Sequence, residues 1–262
     1  MTDTVNKTAE APAAEKKPVA LSFEEFDFSS VDTGLESMLR AGVHFGHLKS
    51  RLHPTMRPFV HATRNNLNIV DLERTAEYLE RATAFLEGVA KAGKPILFVG
   101  MKKHTHGFVR SLAERLGQPY VIDRWLGGTL TNFKVIRDRA RYLRETEEGL
   151  EKGEFGMYTK FERQKKAEEV ERLNKKMGGI KTLRDLPGAV VIADGKEGKL
   201  AIREARAMKV PVVAIMDTNA DAASVEYPVP GNDDALSSLR LLLGSIGKVL
   251  EGVKPAAPKK EA

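Results

Sequence analysis

Two histidines, His44 and His47, lie three positions apart and could together hold a metal ion. Zinc in proteins takes about four ligands, drawn from imidazole, carboxylate and thiolate groups. Asp194 or Asp217 could supply the missing carboxylates, because each follows a predicted strand. Only two ligands are close in the sequence, so a structural or RNA-contacting histidine pair remains the competing interpretation.

Four aspartates could do a different chemistry at the ends of the predicted strands. Sheets with helices on both faces usually bind ligands at the carboxyl ends of their strands. There Asp194, Asp217, Asp233 and Asp234 could bind Mg²⁺ and act on a phosphorylated metabolite. Aspartates after strands also cap helices and accept hydrogen bonds from turn amides, and we favour that interpretation.

Other catalytic machinery is missing from the sequence. The chain has no cysteine, which excludes disulfides, thiol nucleophiles and thiolate metal sites. Neither GxGxxG nor GxxxxGK[ST] follows the predicted strand at 95–99, and no serine lies in a nucleophile elbow. We therefore predict a protein that is not an enzyme and needs no cofactor, with a structural Mg²⁺ or Zn²⁺ left open.

Basic residues point instead to a polyanionic partner. The net charge is +6, and residues 1–30 carry three lysines against six acids, so the remainder is more positive than the whole. Residues 41–64, here called the basic segment, contain no acid. Arginine forks and lysine ammonium groups bind phosphate oxygens. The predicted RNA-binding residues are Lys49, Arg51, Arg57, Arg64, Lys102, Lys103, Arg124, Asn132 and Lys134.

The positioning elements are predicted to form a parallel sheet. Short, continuous apolar runs at 95–99, 120–122, 189–193 and 211–216 are typical of strands buried on both faces. They alternate with helical patterns at 71–92, 104–116, 199–208 and 234–250. This alternation predicts an α/β fold with a doubly wound, mostly parallel sheet in three α/β/α layers, flavodoxin- or Rossmann-like.

Two smaller elements precede that sheet. Thr33 and Glu36 predict a capping box for a short helix at 34–41, with Leu35, Met38 and Leu39 facing inward. Segments 58–63 and 67–70 then flank Asn65 and Asn66, a pair that tolerates positive φ, and this predicts a β-hairpin.

Residues 134–184 interrupt the strand–helix alternation. Apolar residues recur there at spacings of three and four, which predicts an inserted antiparallel helical hairpin, a coiled coil. The preceding residues 124–133, here called the glycine loop, should place Trp125 in the core and use Thr129 or Thr131 as the helix N-cap. Because the apolar face is narrow, we expect the sheet to fold without residues 137–181.

The remaining divisions of the chain follow from composition. Residues 1–30 are predicted to be a disordered acidic extension and 253–262 a disordered basic tail. Residues 31–133 and 185–252 form the predicted globular domain. No apolar run reaches membrane-spanning length and the N-terminus has no apolar signal core, so we expect a cytoplasmic protein without a membrane partner.

Three motifs in order resemble the bacterial small-subunit ribosomal protein two family. They are AGVHFGH at 41–47, RWLGGTLTNF at 124–133 and YPVPGNDD at 227–234, joined by matching segments such as ILFVGMKK at 96–103. The resemblance covers roughly residues 34 to 250. Three ordered motifs are far more specific than a single pair of glycines or histidines.

This resemblance implies a noncatalytic constituent of the 30S subunit that binds small-subunit ribosomal RNA. It also implies contacts with neighbouring small-subunit proteins, including the messenger-capturing protein one. Two alternatives come from the residues alone: the Mg²⁺-dependent enzyme described above, and a protein-binding adaptor that uses the helical hairpin. The adaptor predicts exposed apolar residues on that hairpin, whereas the enzyme predicts an acidic pocket at the strand ends.

Overall fold

The structure is a computed structural model that describes residues 31–253. The extension predicted at 1–30 and the tail predicted at 253–262, apart from Val253, lie outside the described residues. Between residues 31 and 253 no helix has the length and apolar composition needed to cross a membrane.

A five-stranded parallel sheet forms the centre of the fold. Its strands β4 to β8 are numbered after three strands of a smaller sheet, and their spatial order is β5-β4-β6-β7-β8. Counted within this sheet, that is the order 2-1-3-4-5 of flavodoxin-like folds, whose ligands bind where the order reverses, between β4 and β6. The strands are β4 Ile96–Gly100, β5 Tyr120–Ile122, β6 Ala189–Ile192, β7 Val212–Met216 and β8 Tyr227–Pro230.

The central strands form because their side chains are apolar on both sides. Every residue of β4, β6 and β7 is buried, so alternate side chains of each strand enter two different cores. The register is regular: Phe98 pairs with Val191, which in turn pairs with Val213. This arrangement confirms the predicted mostly parallel sheet between helical layers.

One face of the sheet is covered by α2 Leu72–Lys91, α3 His106–Arg115 and α7 Leu236–Glu251. Their apolar residues share a core with Phe98 and Val191 of the sheet. Helix α2 begins where predicted, because the Asp71 carboxylate accepts hydrogen bonds from the amides of Glu73 and Arg74. It ends at Lys91, and Gly93 follows just after its end with a φ of +68°, which suits glycine.

The opposite face is covered by α6 Lys199–Ala207 and by parts of the two hairpin helices, α4 Phe133–Glu151 and α5 Lys160–Met177. Leu143 of α4 and Val170 of α5 belong to one core cluster with Leu97 and Val99 of β4. Trp125 is 3% exposed and lies in the same cluster, as predicted. Helices α4 and α5 therefore form part of the second core.

Helices α4 and α5 contact each other through polar side chains. Tyr142 donates to Glu169 and Asn174 donates to Glu147, and both pairs are 27 residues apart in sequence. A turn at Glu154–Met157 connects the helices, and Thr159 with Glu162 forms a capping box for α5. Two contacting helices are thus present, while their pairing as an antiparallel coiled coil stays a prediction.

A three-stranded antiparallel sheet precedes the central sheet. Its strands are β1 Phe45–Leu48, β2 Val60–Arg64 and β3 Leu67–Val70, in the order β1-β3-β2. Asn65 and Asn66 join β2 to β3 at φ of +48° and +63°, which confirms the predicted hairpin.

The expectations for helix α1, Leu35–Arg40, need correction. Its N-cap is Gly34 and no side chain caps it, so the predicted Thr33–Glu36 capping box is wrong. Instead the Asp32 carboxylate accepts hydrogen bonds from the Gly34 amide and the Ser37 hydroxyl. Met38 is buried, but Leu35 and Leu39 are 48% and 54% exposed, because a helix this short turns only one side toward the core.

Candidate functional site

The carboxyl ends of the parallel strands carry the polar residues singled out above. Asp194 follows β6, and its Oδ2 accepts a hydrogen bond of 3.1 Å from the Met101 amide, which follows β4. These two strands flank the point where the strand order reverses. The sheet therefore brings its polar strand ends together where its fold class usually binds ligands.

His47 is held at this edge by the residues that follow β7. Its Nδ1 lies 2.7 Å from Asp217 Oδ2, and its backbone amide donates to the Thr218 hydroxyl at 2.8 Å. The other Asp217 oxygen accepts hydrogen bonds from the Thr218 amide and hydroxyl. Asp217 is 1% exposed, so the imidazole is oriented by a buried carboxylate.

Lys102 joins the neighbouring aspartates. Its ammonium lies 2.7 Å from Asp233 Oδ1 and 2.7 Å from Asp234 Oδ1. The second oxygen of Asp234 lies 3.6 Å from His47 Nε2. We call His47, Lys102, Asp217, Asp233 and Asp234 the strand-end cluster.

Burial and charge shift the proton affinities in this region. Burial raises the pKa of Asp194 to about 6 and that of Asp233 to about 6, although hydrogen bonds oppose both shifts. The hydrogen bond to Asp217 raises the pKa of His47. Burial disfavours the charge of Lys102, but Asp233 and Asp234 together outweigh it and raise its pKa.

The prediction that the aspartates after the parallel strands cap helices is wrong. The side chain of Asn232 accepts hydrogen bonds from the amides of Asp234 and Ala235, just before α7. The carboxylates of Asp194 and Asp234 instead bind Met101 and Lys102, which both follow β4, because the strand ends converge. Asp217 does bind a turn amide, as expected.

The suggested metal ligands are only partly brought together. His47 and Asp217 are in contact, with Asp234 as a third member that the sequence did not single out for this role. His44 lies apart from this group. Burial lowers its pKa, and the centroids of the His44 and Phe45 rings are 4.0 Å apart. Asp194 is engaged with the Met101 amide.

Asp194→Asn is expected to raise the free energy of unfolding at pH 7 by on the order of 1 to 3 kcal/mol. Burial raises the pKa of the Asp194 carboxyl to about 6, against 3.8 for an ordinary aspartic acid, so between these pH values the folded state binds more protons. Its contribution to stability therefore falls as pH rises through this window and stays lost above it. Urea unfolding at pH values from 4 to 7 should show a flatter profile for the variant, and equal profiles would contradict the prediction.

The basic segment lies against the same edge of the sheet. The His53 amide donates to the Thr218 carbonyl at 2.8 Å, and the Thr55 hydroxyl donates to Asp221 at 3.1 Å. On either side of these two anchors, Lys49 and Arg51 before them and Arg57 and Arg64 after them are all exposed. Within residues 31–253, none of these four cations forms an ion pair, so each is available to an external anion.

The other predicted RNA-binding residues differ among themselves. Lys103, Arg124, Asn132 and Lys134 are exposed. The Lys102 side chain is only 18% exposed and its ammonium already binds two carboxylates. Sequence alone could not separate the two neighbouring lysines, because their partners come from residues more than 130 positions away.

The structure contains a basic groove that was not predicted from the sequence. It has a volume of about 550 Å³ and lies between α6 and the loop that follows β7. Lys196, Lys199, Arg203 and Arg206 line it and are exposed, with His53 and Asp221 among the other lining residues. Their spacings of three, four and three follow one face of a helix, and this pattern could have been found in the sequence.

Glu204, on the buried side of α6, was also missed. Its Oε1 accepts hydrogen bonds from Trp125 Nε1 at 3.0 Å and the Gly128 amide at 2.8 Å. Its Oε2 accepts from the Leu130 and Thr131 amides and from the Thr131 hydroxyl. One carboxylate thus fixes the glycine loop onto α6.

The predicted N-cap residues of α4 have other roles. The Thr131 hydroxyl binds Glu204, and the Thr129 hydroxyl donates to the Leu126 carbonyl at 2.6 Å. The N-cap is Asn132, whose side chain makes no capping hydrogen bond. The prediction for Thr129 and Thr131 was wrong because the buried carboxylate takes the amides of this turn.

Comparison with known proteins identifies related sequences over most of the chain. Residues 38–252 match the family described as Ribosomal protein S2. A protein of Roseiflexus castenholzii, small ribosomal subunit protein uS2, is 45% identical over 212 residues, which cover 81% of each chain. A protein of the same name from Chlorobium phaeovibrioides is 40% identical over 227 residues, covering 87% of this chain and 88% of the relative.

Proposed function

The chain belongs to the ribosomal protein S2 family, and from this premise we propose that its exposed cations bind small-subunit ribosomal RNA. The protein is a structural constituent of the small ribosomal subunit. The match over residues 38–252 carries this conclusion, because it spans most of the chain.

Membership in this family also decides between the function classes considered for the sequence. The protein is structural and non-enzymatic, and the comparisons give no support to the Mg²⁺-dependent enzyme. Its place on the ribosome agrees with the cytoplasmic location expected from the sequence. The strand-end cluster therefore needs an explanation other than catalysis.

The proposed RNA-binding surface combines the basic segment with its neighbours. Its support is that Lys49, Arg51, Arg57 and Arg64 are exposed and lack ion pairs within the described part of the chain. Structured RNA is mostly bound through phosphates and 2′-hydroxyls, for which scattered cations are suited. Lys103, Arg124, Asn132 and Lys134 extend the surface, whereas Lys102 would first have to leave its two carboxylates.

The double substitution Arg51→Ala, Arg57→Ala should weaken RNA binding and flatten its salt dependence. Each phosphate contact releases counterions, so two lost contacts should reduce the slope of log affinity against log salt by about two units. The free energy of unfolding should change by less than about 1 kcal/mol, since both side chains are exposed. Filter binding of small-subunit ribosomal RNA at several salt concentrations measures the slope.

Arg203→Ala with Arg206→Ala is the matched comparison, because it removes two exposed arginines from the basic groove. If both double variants reduce the slope, the RNA-binding surface includes the groove. An Arg51, Arg57 variant that is folded and keeps the original affinity and slope would show that the basic segment does not contact RNA.

We further propose that the helical hairpin contacts neighbouring small-subunit proteins. Its distal end exposes apolar side chains: Met157 is 100% exposed, Phe161 65% and Tyr158 43%. Such residues are typical of protein contacts, which is what the adaptor interpretation predicted. The family resemblance also implies protein one as a partner. Retention of a Met157→Ser, Phe161→Ser variant in salt-washed 30S subunits tests this contact, and undiminished retention would contradict it.

A further inference from the structure

We propose that the strand-end cluster is a zinc site in which His47 Nε2 and Asp234 Oδ2 bind the ion and Asp217 orients the imidazole. The side chains of His47 and Asp234 are 18% and 59% exposed, so water can reach an ion held between them. Water, or an oxygen from outside the protein, would complete the coordination.

The distances at His47 suit a zinc ion. A tetrahedral ion bound at about 2.0–2.1 Å to each of two ligands separates them by roughly 3.4 Å. His47 Nε2 and Asp234 Oδ2 are 3.6 Å apart. On the other side of the ring, Asp217 Oδ2 lies 2.7 Å from Nδ1. A carboxylate that accepts the second ring N–H is the usual partner of a zinc-binding histidine, and it leaves Nε2 free for the metal.

The charges around this pair also favour a divalent cation. Lys102 neutralises part of the cluster, but it binds Oδ1 of Asp234 and leaves Oδ2 directed toward the histidine. Asp233 is 1% exposed, and its Oδ2 has no hydrogen-bond partner among the described residues. A buried carboxylate oxygen without a partner is costly, and a nearby cation would offset that cost. An imidazole ligand favours zinc over magnesium.

The other histidines of this region do not fit as ligands. His104 Nε2 lies 3.2 Å from the Asp233 carbonyl, so it is already engaged. His44 is not among the residues whose ligand atoms converge with those of His47 within the described chain. The sequence holds no cysteine, and residues 1–30 and 254–262 contain no histidine. A histidine-dependent zinc site must therefore use one of six known positions.

Titration of the full-length protein with zinc chloride, followed by calorimetry and by metal analysis after dialysis, tests the proposal. We expect one zinc ion per chain and a melting temperature that rises with zinc concentration. His47→Ala and Asp234→Ala should each abolish stoichiometric binding. Asp217→Asn should weaken binding by about 10- to 100-fold, because the imidazole loses its orienting partner.

His44→Ala is the matched control, since it removes the neighbouring histidine of the same motif, and it should bind zinc like the unsubstituted protein. Thermal melting without zinc establishes that each variant is folded. The proposal is overturned if the unsubstituted protein binds no zinc when the metal is present at about 100 μM. That result would mean a Kd weaker than roughly 10⁻⁴ M, or a binding free energy smaller than about 6 kcal/mol. The proposal is equally overturned if a folded His47→Ala variant keeps its zinc, or if magnesium alone binds.

Discussion

Glu204→Ala is expected to lower the free energy of unfolding by about 3 to 5 kcal/mol, although Glu204 lies outside every motif in the sequence. The carboxylate accepts five hydrogen bonds from the glycine loop. Alanine would leave the Trp125 indole N–H and the Leu130 amide buried without a partner. Each such orphaned donor costs about 1 to 3 kcal/mol.

The protonation of Glu204 points in the same direction. Burial alone would raise its pKa, but the hydrogen bonds from the glycine loop outweigh burial and lower it below the usual value. A carboxyl with a lowered folded-state pKa stabilises the fold above its unfolded pKa, and this contribution is lost as pH falls. The destabilisation caused by Glu204→Ala should therefore shrink in acid.

Two variants isolate the cause of this effect. Trp125→Phe keeps an aromatic ring but removes one donor to Glu204, so it should cost less than Glu204→Ala. Arg203→Ala changes the exposed neighbour on the same helix and should stay within about 0.5 kcal/mol. Urea unfolding at pH 7 compares them. A Glu204→Ala protein as stable as the Arg203→Ala control would show that the glycine loop does not depend on the carboxylate.

The elements of the central sheet could be predicted because their signal is local. Runs such as 96–100 and 212–216 are apolar at every position and only five residues long, which is typical of a strand buried on both faces. Strand β8 escaped prediction because Pro228 and Pro230 lack backbone N–H groups. The missing N–H groups are tolerated because β8 lies at the edge of the sheet.

Site residues could be predicted from the sequence only where their type alone, without their partners, indicates the role. The exposed arginines of the basic segment are visible as a run without acids. Glu204 and Lys102 are different, because their partners lie more than 70 and 130 residues away and become neighbours only through the order of the strands. Both Lys102 and Lys103 were predicted to bind RNA because both are positively charged. In the structure Lys102 is paired with carboxylates, whereas Lys103 is exposed.

Helices α4 and α5 show that periodicity alone does not reveal which other elements a helix packs against. Their narrow apolar face suggested two helices that pair only with each other. In the structure Leu143, Val170, Met177 and Ile180 instead join the core on one face of the sheet. Gly179 also lies against β5, where an added Cβ would clash with the Tyr120 carbonyl oxygen. The base of the hairpin therefore covers the sheet and its edge strand.

Deletion of residues 137–181, with a short Gly/Ser bridge, should for this reason abolish cooperative unfolding. The expectation that the sheet would fold without them is thus revised. Four large buried side chains would be lost, and each contributes about 1.5 to 3 kcal/mol, or roughly 6 to 12 kcal/mol together. Domains are typically stable by only about 5 to 15 kcal/mol. Thermal melting followed by near-ultraviolet circular dichroism should show no sharp transition.

The variant Met157→Ser, Phe161→Ser is the control, because it changes the same hairpin where its side chains are exposed. Exposed positions cost within about 0.5 kcal/mol each, so its melting should match that of the unsubstituted protein. The contrast separates the base of the hairpin, which packs on the sheet, from its distal end, which is free to bind a partner. A deletion protein that melts sharply near the original temperature would mean that the sheet core is complete without Leu143, Val170 and Ile180, and that the hairpin is an independent insertion after all.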